Sequence, residues 1–494
     1  MQNTNNVNPS LPSSSSELPY SLLDPNPSLI DEYGNLNDNI SLAASLITYR
    51  NGTIADGISK LILVVESNNT LQFSISGTER DNLTNGTFSC LKESNVNTSK
   101  STIKVLPQSI SNGKSVVVAI YTPPDSFNDQ YIGSNRTINV NVSDPNNPDA
   151  STLLEIPIQL YRPPVVLVHG VWTNSNDTWV TVNDFTKKLT DNGFNYIFAD
   201  YKEYNSETFD PCDDKLFGNY GINSIRNAIH DILGRYHYFS IAASQVDIVA
   251  HSMGGLMARG FVQQPDYKGK HNFMKGSIHR LITIGTPHLG GHLSKFLYNH
   301  RDDWYCLDVI PISPARSCKV EPKKLRTIYS DNFKTPIDKG AVEALIPESN
   351  AYSHLYQTNV KSYAIAGTWR PNANISHAYQ ESDYKTITDN SGFDLGKDGF
   401  DDSDDENDLV VSVTSQLGGR KNQIRQPESK EPPNESAVYP NTVHGSILIK
   451  CDKEVFSETK SPYIQEDVIR LLKSSDNNKF ADAIGIDSPS HRSK

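Results

Sequence analysis

Cysteine is sparse and shows no motif. The 494 residues hold five cysteines and no C-x-x-C pair, which excludes a zinc ribbon and a thioredoxin-like redox motif. Cys306 and Cys318 alone are close enough in sequence to suggest a bridge in an oxidising compartment. Cys90, Cys212 and Cys451 are scattered, and the usual burial habit of cysteine reads the set mostly as free buried thiols. Basic charge is also short. The formal net charge is −12, with no stripe of Lys or Arg, so a nucleic-acid partner is excluded. Long apolar runs are missing as well. None approaches the roughly 18–20 residues that span a bilayer, and the chain reads as soluble, with no transmembrane segment. The start, Met1-Gln-Asn-Thr-Asn-Asn, has neither a basic n-region nor an apolar h-region. No secretory leader is visible, so either the protein stays inside or a leader has been lost.

What is present changes texture along the chain. The length suggests about two or three domains. Residues 1–40 are rich in Asn, Ser and Pro and are expected to be a disordered leader. Residues 41–160 carry seven short β-like runs between polar turns: 41–49, 60–66, 71–76, 102–106, 115–121, 137–143 and 153–160. That pattern predicts a β-sandwich. It lacks a Cys…Trp…Cys signature, since Cys90 is the only cysteine there and the first tryptophan is Trp172. After Pro163-Pro164, strand-like runs (165–168, 196–200, 246–250, 281–284, 362–366) alternate with helical ones. The helix over 223–235 places Ile225, Ala228, Ile229 and Ile232 on one face, and others are expected at 255–262 and 462–472. Alternation of this kind predicts an α/β fold with a mostly parallel sheet covered on both faces, over about 163–475. Residues 476–494 read as a polar tail. No internal repeat is present.

The richest stretch is Val246-Asp-Ile-Val-Ala-His-Ser-Met-Gly-Gly-Leu-Met-Ala-Arg259. An apolar run meets Ser252, small residues sit two positions either side (Ala250, Gly254), and a helical segment follows. This is the layout of a nucleophile elbow, a strained strand-to-helix turn that holds one hydroxyl clear of the backbone. Such a serine needs a base, an acid to orient the base, and donors for an oxyanion. With an elbow serine the order along the chain is Ser, then Asp or Glu, then His. His377 precedes the acidic candidates and His491 lies in a Ser-rich tail, which leaves His444, in a loop-like stretch after Pro440. The acid is sought in the run 398–408. Most of its carboxylates read as a solvated loop, but Asp408 abuts Leu409-Val410-Val411, and a strand-adjacent carboxylate is held rigidly. Asp405 and Glu406 are the next candidates. The oxyanion donors are expected to be the backbone amides of Met253 and Val171, the latter following His169-Gly170. His169 itself reads as structural. His288 and His292 are four apart, but Gly290-Gly291 intervene and no Glu follows His288, so they are not a zincin pair and read as packing.

From about 163 to 475 the chain resembles the α/β-hydrolases of the bacterial lipase and esterase type. The resemblance is carried by Val166-Leu-Val-His-Gly170, Val246-Asp-Ile-Val-Ala-His-Ser-Met-Gly-Gly255 and Ile284-Gly-Thr-Pro-His-Leu-Gly290. Asn407-Asp408-Leu-Val-Val411 falls where such lipases carry Asn-Asp-Gly-Leu-Val with the acid, and His444 where they place the base. Ala250 and Leu409 stand where the pattern has glycines. The piece Ala55-Asp-Gly-Ile-Ser59 resembles bacterial Ig-like domains of surface proteins, and extracellular or cell-surface placement follows from resemblance alone.

The resemblance implies a serine hydrolase cleaving carboxylic esters of acyl lipids through an acyl-enzyme, with a lipid or small-molecule ester as substrate and interfacial contact with lipid. An acyltransferase would use the same three residues with an alcohol in place of water. A surface adhesion protein with an inactive hydrolase-like domain is the alternative from another class. The segment 292–360 is too long for a simple crossover and is expected to form a lid-like insertion. No cofactor and no metal is expected. Ca²⁺ on the acidic run is the one alternative, although the run does not have EF-hand spacing.

Overall fold

Short runs that alternate apolar and polar residues build two sheets before Pro163, and wholly apolar strands build a third after it. The protein is described from a computed structural model covering residues 20–25, 27, 30–33, 48–75, 85–90, 101–109, 114–127, 133–146, 152–181, 184–212, 219–291, 294–295, 298, 340–347, 349–368, 406–408, 410–420, 423–425, 429, 431–440, 442–444 and 456–484.

The first sheet contains β1 (Tyr20–Asp24), β2 (Thr48–Tyr49), β4 (Leu61–Glu66), β6 (Thr87–Ser89), β8 (Gln108–Ser109) and β9 (Ser115–Thr122). Its order is β2-β1-β4-β9-β6, with β8 also on β9. The second contains β3 (Gly52–Ile54), β5 (Leu71–Ile75), β7 (Thr102–Val105), β10 (Asn135–Ser143) and β11 (Leu154–Tyr161), and it is completed at one edge by β14 (Ile241–Ala242). Leu61, Leu63, Val117 and Ala119 of the first sheet share one core with Phe73, Val140, Ile156 and Ile158 of the second. Alternate residues along a strand face opposite sides, so each sheet supplies every second residue to this core. In the piece 55–59, the Asp56 carboxylate closes a buried turn by accepting from the Ile58 amide and from both the amide and hydroxyl of Ser59.

The third sheet has the order β13-β12-β15-β16-β17-β18 and is parallel throughout. Its strands are β12 (Val165–Val168), β13 (Tyr196–Ala199), β15 (Val246–His251), β16 (Ile278–Ile284), β17 (Ser362–Thr368) and β18 (Ser436–Pro440). The two-residue period splits these apolar runs between two cores. Val166, Val168, Ile248, Ala250 and Leu281 pack on one face with α3 (Tyr220–Tyr238) and α4 (Met253–Val262). Val165, Leu167, Val249, Ile282 and Ile284 pack on the other with α1 (Ser175–Trp179), α2 (Phe185–Asp191) and α6 (Pro462–Lys473). The helix α5 (Val413–Leu417) lies against β17. Asn219 caps α3 by accepting from the Ile222 amide, and the expected face of Ile225, Ala228, Ile229 and Ile232 is buried. Ser461 caps α6, which carries Pro462 at its first position, where the missing N–H costs nothing.

The sandwich and the parallel sheet are joined through hydrogen bonds as well as apolar contact. β14 runs parallel to β3. At the lower end of the parallel sheet, buried His279 of β16 reaches Asp247 Oδ1 on β15 at 2.8 Å and Asp125 Oδ1 of the sandwich at 3.1 Å. Burial alone would lower the His279 pKa, but the charge of Asp247 and the bonds to both carboxylates more than offset it and push it up to about 9.

Several expectations change. Tyr20–Asp24 lies in the stretch read as a disordered leader, yet it pairs with β4 because Leu22 and Leu23 bury there. The stretch read as a polar tail from 476 begins with packed chain: Phe480 and Ile484 are buried, and Ala481 and Ile484 bridge Ser362 and Thr358. Of 41–49 only Thr48–Tyr49 is a described strand. The strands β1, β3, β6, β8, β14 and β18 were not anticipated. Cys212 is exposed and Cys90 partly buried, against the expectation of buried thiols. Cys306, Cys318, Cys451, most of the lid-like insertion and the acidic run through Asp405 lie outside the described residues, as do His292, His377 and His491. Among the described residues no helix is long and apolar enough to cross a membrane.

Candidate functional site

Strand β15 ends at His251, and the chain then reverses through Ser252 into α4. Ser252 has φ 55° and ψ −133°, a region disfavoured for any residue with a side chain and costing on the order of 1–3 kcal/mol. The surroundings hold it there. Its amide donates to Ile284 O at 2.9 Å, and the Gly255 amide returns a bond to Ser252 O at 3.1 Å. The small residue two positions on is required, because a Cβ on Gly254 would overlap the His169 carbonyl.

The described residues bring the three separated side chains together. His444 Nε2 lies 2.8 Å from Ser252 Oγ, and His444 Nδ1 lies 2.7 Å from Asp408 Oδ2. Ser252 and His444 are buried, and Asp408 is 0% exposed. The remaining oxygen of Asp408 accepts from the Val410 and Val411 amides at 2.9 and 2.7 Å. The His444 amide also donates to the Asp408 carbonyl at 3.1 Å. Asp408 is not held by the strand that its apolar neighbours suggest. Val410 and Val411 do not form a strand. They form a tight turn, bridged between Asn407 and Ser412, that leads into α5. Turn amides, not a neighbouring strand, fix the carboxylate. The second-ranked Glu406 is described and serves as a backbone acceptor for Val413, while Asp405 is outside the described residues.

On the other side of Ser252 lies the loop after β12. A Cβ on Gly170 would sit 2.6 Å from Ser252 Cβ and 3.1 Å from its Oγ, so only a glycine lets this backbone approach. Val171 follows, and then Trp172 with φ 54°. Met253 is the first residue of α4, and first-turn amides have no partner within their own helix. His169 is fully buried under the loop. It accepts from the Tyr201 amide at 3.1 Å through Nε2 and donates to Gly170 O at 2.9 Å through Nδ1, stacked on Tyr201. His288 is buried between Thr283 and Arg259, and burial first, then the Arg259 charge, hold its pKa well below the ordinary value.

Two residues beside His444 had no prominence in the sequence. His251 Nε2 lies 3.0 Å from His444 O and 3.2 Å from Glu458 Oε2, and Glu458 Oε2 lies 3.6 Å from His444 Nδ1. Glu458 stands in a short turn after the two-residue strand Phe456–Ser457, fourteen residues beyond His444, with no motif around it.

Residues 164–301 match the family described as "Putative serine esterase (DUF676)". The parallel sheet, with Ser252 on the strand-to-helix turn after β15, has the arrangement of an α/β-hydrolase fold. Among solved structures, the mature Bacillus licheniformis lipase BlEst2 is similar, with 17% identity and a TM-score of 0.33 over 63% of this chain and 92% of that one. Phospholipase PlaB of Legionella pneumophila gives 13% and 0.39 over 64% and 61%, and Staphylococcus hyicus lipase 14% and 0.36 over 63% and 95%. No curated protein matches the sequence. Roles for individual residues therefore rest on the geometry of the site.

Proposed function

We propose that this chain is a serine hydrolase of carboxylic esters with an apolar acyl part, working through an acyl-enzyme on Ser252. The observation that carries the reading is the continuous run of hydrogen bonds from Ser252 Oγ through His444 to Asp408, at 2.8 and 2.7 Å. His444 Nδ1–H donates to the Asp408 carboxylate, so the neutral ring carries no proton on Nε2, which faces the serine hydroxyl. Ser252 Oγ attacks the ester carbonyl as His444 Nε2 takes its proton, and Asp408 stabilises the imidazolium that forms. The Val171 and Met253 amides receive the oxyanion, a contribution of about 2.7–4 kcal/mol per donor in comparable sites. The proton on Nε2 passes to the leaving alcohol. Water, deprotonated by the same nitrogen, then releases the acid and restores the hydroxyl.

The test is a chain-length series of chromogenic esters, run beside Ser252→Ala. Turnover that requires Ser252 supports the reading, and a rise toward longer acyl chains places the enzyme among lipases. Absence of turnover across the series contradicts it.

A further inference from the structure

We infer that Glu458 is a positioning residue of this site, held as a neutral carboxylic acid that donates its proton to the Asp408 carboxylate. The inference rests on the proposed role of Asp408 and His444.

Glu458 is 0% exposed, and the fold leaves room for its carboxyl in particular. Gly285 and Gly367, at the ends of neighbouring strands β16 and β17, stand on either side of it. A Cβ on Gly285 (φ +59°) would overlap Oε2, and one on Gly367 would lie 2.7 Å from Oε1. Oε1 accepts from the Gly367 amide at 3.0 Å, which is shared with Gln416 Oε1. Glu458 Oε2 lies 3.6 Å from His444 Nδ1, the same atom that Asp408 Oδ2 meets at 2.7 Å, so the two carboxyls stand side by side.

Counting protons then decides the charge. The His444 carbonyl only accepts, so His251 Nε2, 3.0 Å from it, carries a proton and points it between that carbonyl and Glu458 Oε2. His251 Nδ1 is buried and has no hydrogen-bond partner among the described residues, as fits a ring with one proton. His251 is thus neutral, and its burial, followed by the nearness of His444, disfavours the cation. The other charged group nearby, Lys460, turns its ammonium to Thr178 O at 2.9 Å. Glu458 and Asp408 therefore share a buried site in which, among the described residues, neither His251 nor Lys460 supplies a cation, and two carboxylates so placed do not both ionise. Asp408 receives two backbone N–H bonds and the His444 Nδ1–H, whereas Glu458 receives one shared backbone N–H and a share of the His251 Nε2–H at 3.2 Å. The larger number of donors puts the charge on Asp408 and the proton on Glu458. Burial first, and then the Asp408 charge, hold the Glu458 pKa well above the ordinary carboxylate range.

The consequence is a fixed Asp408 orientation without a second negative charge behind the imidazole. Glu458→Gln keeps a donor and an acceptor, while Glu458→Ala removes both. Glu458→Ala is expected to lower kcat by about 10- to 100-fold, the worth of a hydrogen bond to a charged group, with little change in KM. Glu458→Gln is expected to rescue most of that loss and to leave the acidic limb of the kcat/KM profile in place. A shift of that limb by about one pH unit or more in Glu458→Gln means that Glu458 was ionised and overturns the inference. An unchanged kcat in Glu458→Ala overturns it as well. Infrared difference spectra of the full chain, wild type minus Glu458→Gln, supply a readout independent of turnover. A protonated-carboxyl carbonyl band lost on substitution supports the inference, and its absence overturns it. The band without turnover of any ester fails the hydrolase reading alone.

Discussion

Asp408→Asn tests the division of labour at the site most sharply, because the protein dictates how the new amide must lie. Asp408 Oδ1 accepts the Val410 and Val411 amides at 2.9 and 2.7 Å. An Asn that turned its NH₂ toward these two N–H groups would bury donor against donor and lose both bonds, at about 1–3 kcal/mol for each group left unsatisfied. The carboxamide oxygen therefore stays on the turn, and the NH₂ faces His444 Nδ1. That ring nitrogen must then accept, so the proton moves to Nε2 and points at Ser252 Oγ. A protonated neutral Nε2 cannot take the serine proton. In serine protease triads the same exchange costs roughly 10⁴ in kcat, equivalent to about 5.5 kcal/mol of barrier. The substitution is nearly isosteric, so the melting temperature should move little. The assay is kcat with a chromogenic ester beside a thermal melt. A loss in kcat of less than about tenfold with an intact melt would refute the role assigned to Asp408.

Other outcomes follow from the same geometry. Gly170→Ala forces a Cβ to 2.6 Å from Ser252 Cβ, so the loop must retreat from the nucleophile. The loss of one oxyanion donor should lower kcat by about 10²–10³, and steady-state kinetics showing wild-type kcat would contradict the placing of Val171. His279→Gln breaks the buried contact among Asp247, His279 and Asp125 and should destabilise the fold by on the order of 3–5 kcal/mol, read by denaturant unfolding. The His279 pKa, raised to about 9 by its two carboxylates against the effect of burial, lies above the unfolded value of about 6.5. Its contribution is therefore fully present below about pH 6.5 and is lost as pH rises through about 9. Wild-type stability that does not fall across that window would contradict the charge assignment.

What the sequence disclosed and what it hid follow the distance over which each constraint acts. The elbow was legible because everything it demands lies within ten residues: an apolar run, Ser252, and small neighbours at 250 and 254. The middle of the helix, 223–235, and the strand 165–168 were legible for the same reason, since hydrophobic period is local. His444 and Asp408 were reached through chain order, which narrowed the candidates but misread why Asp408 is rigid. The turn amides of Val410 and Val411 leave no periodic trace. Glu458 and His251 are joined across 207 positions and His279 and Asp125 across 154, and no local pattern marks either pair. Tyr20–Asp24 sits in a polar stretch whose composition outweighed its two buried leucines. Ser436–Pro440 was hidden by a proline and a serine in so short a strand.

The central claim is that the Ser252 hydroxyl is made nucleophilic by His444. It is tested most directly by treating the folded protein with a fluorophosphonate and mapping the adduct by peptide mass spectrometry. The expected result is a single adduct on Ser252, slowed by several orders of magnitude in His444→Ala. Folded protein that stays unlabelled at Ser252, or is labelled equally fast without His444, would contradict the account.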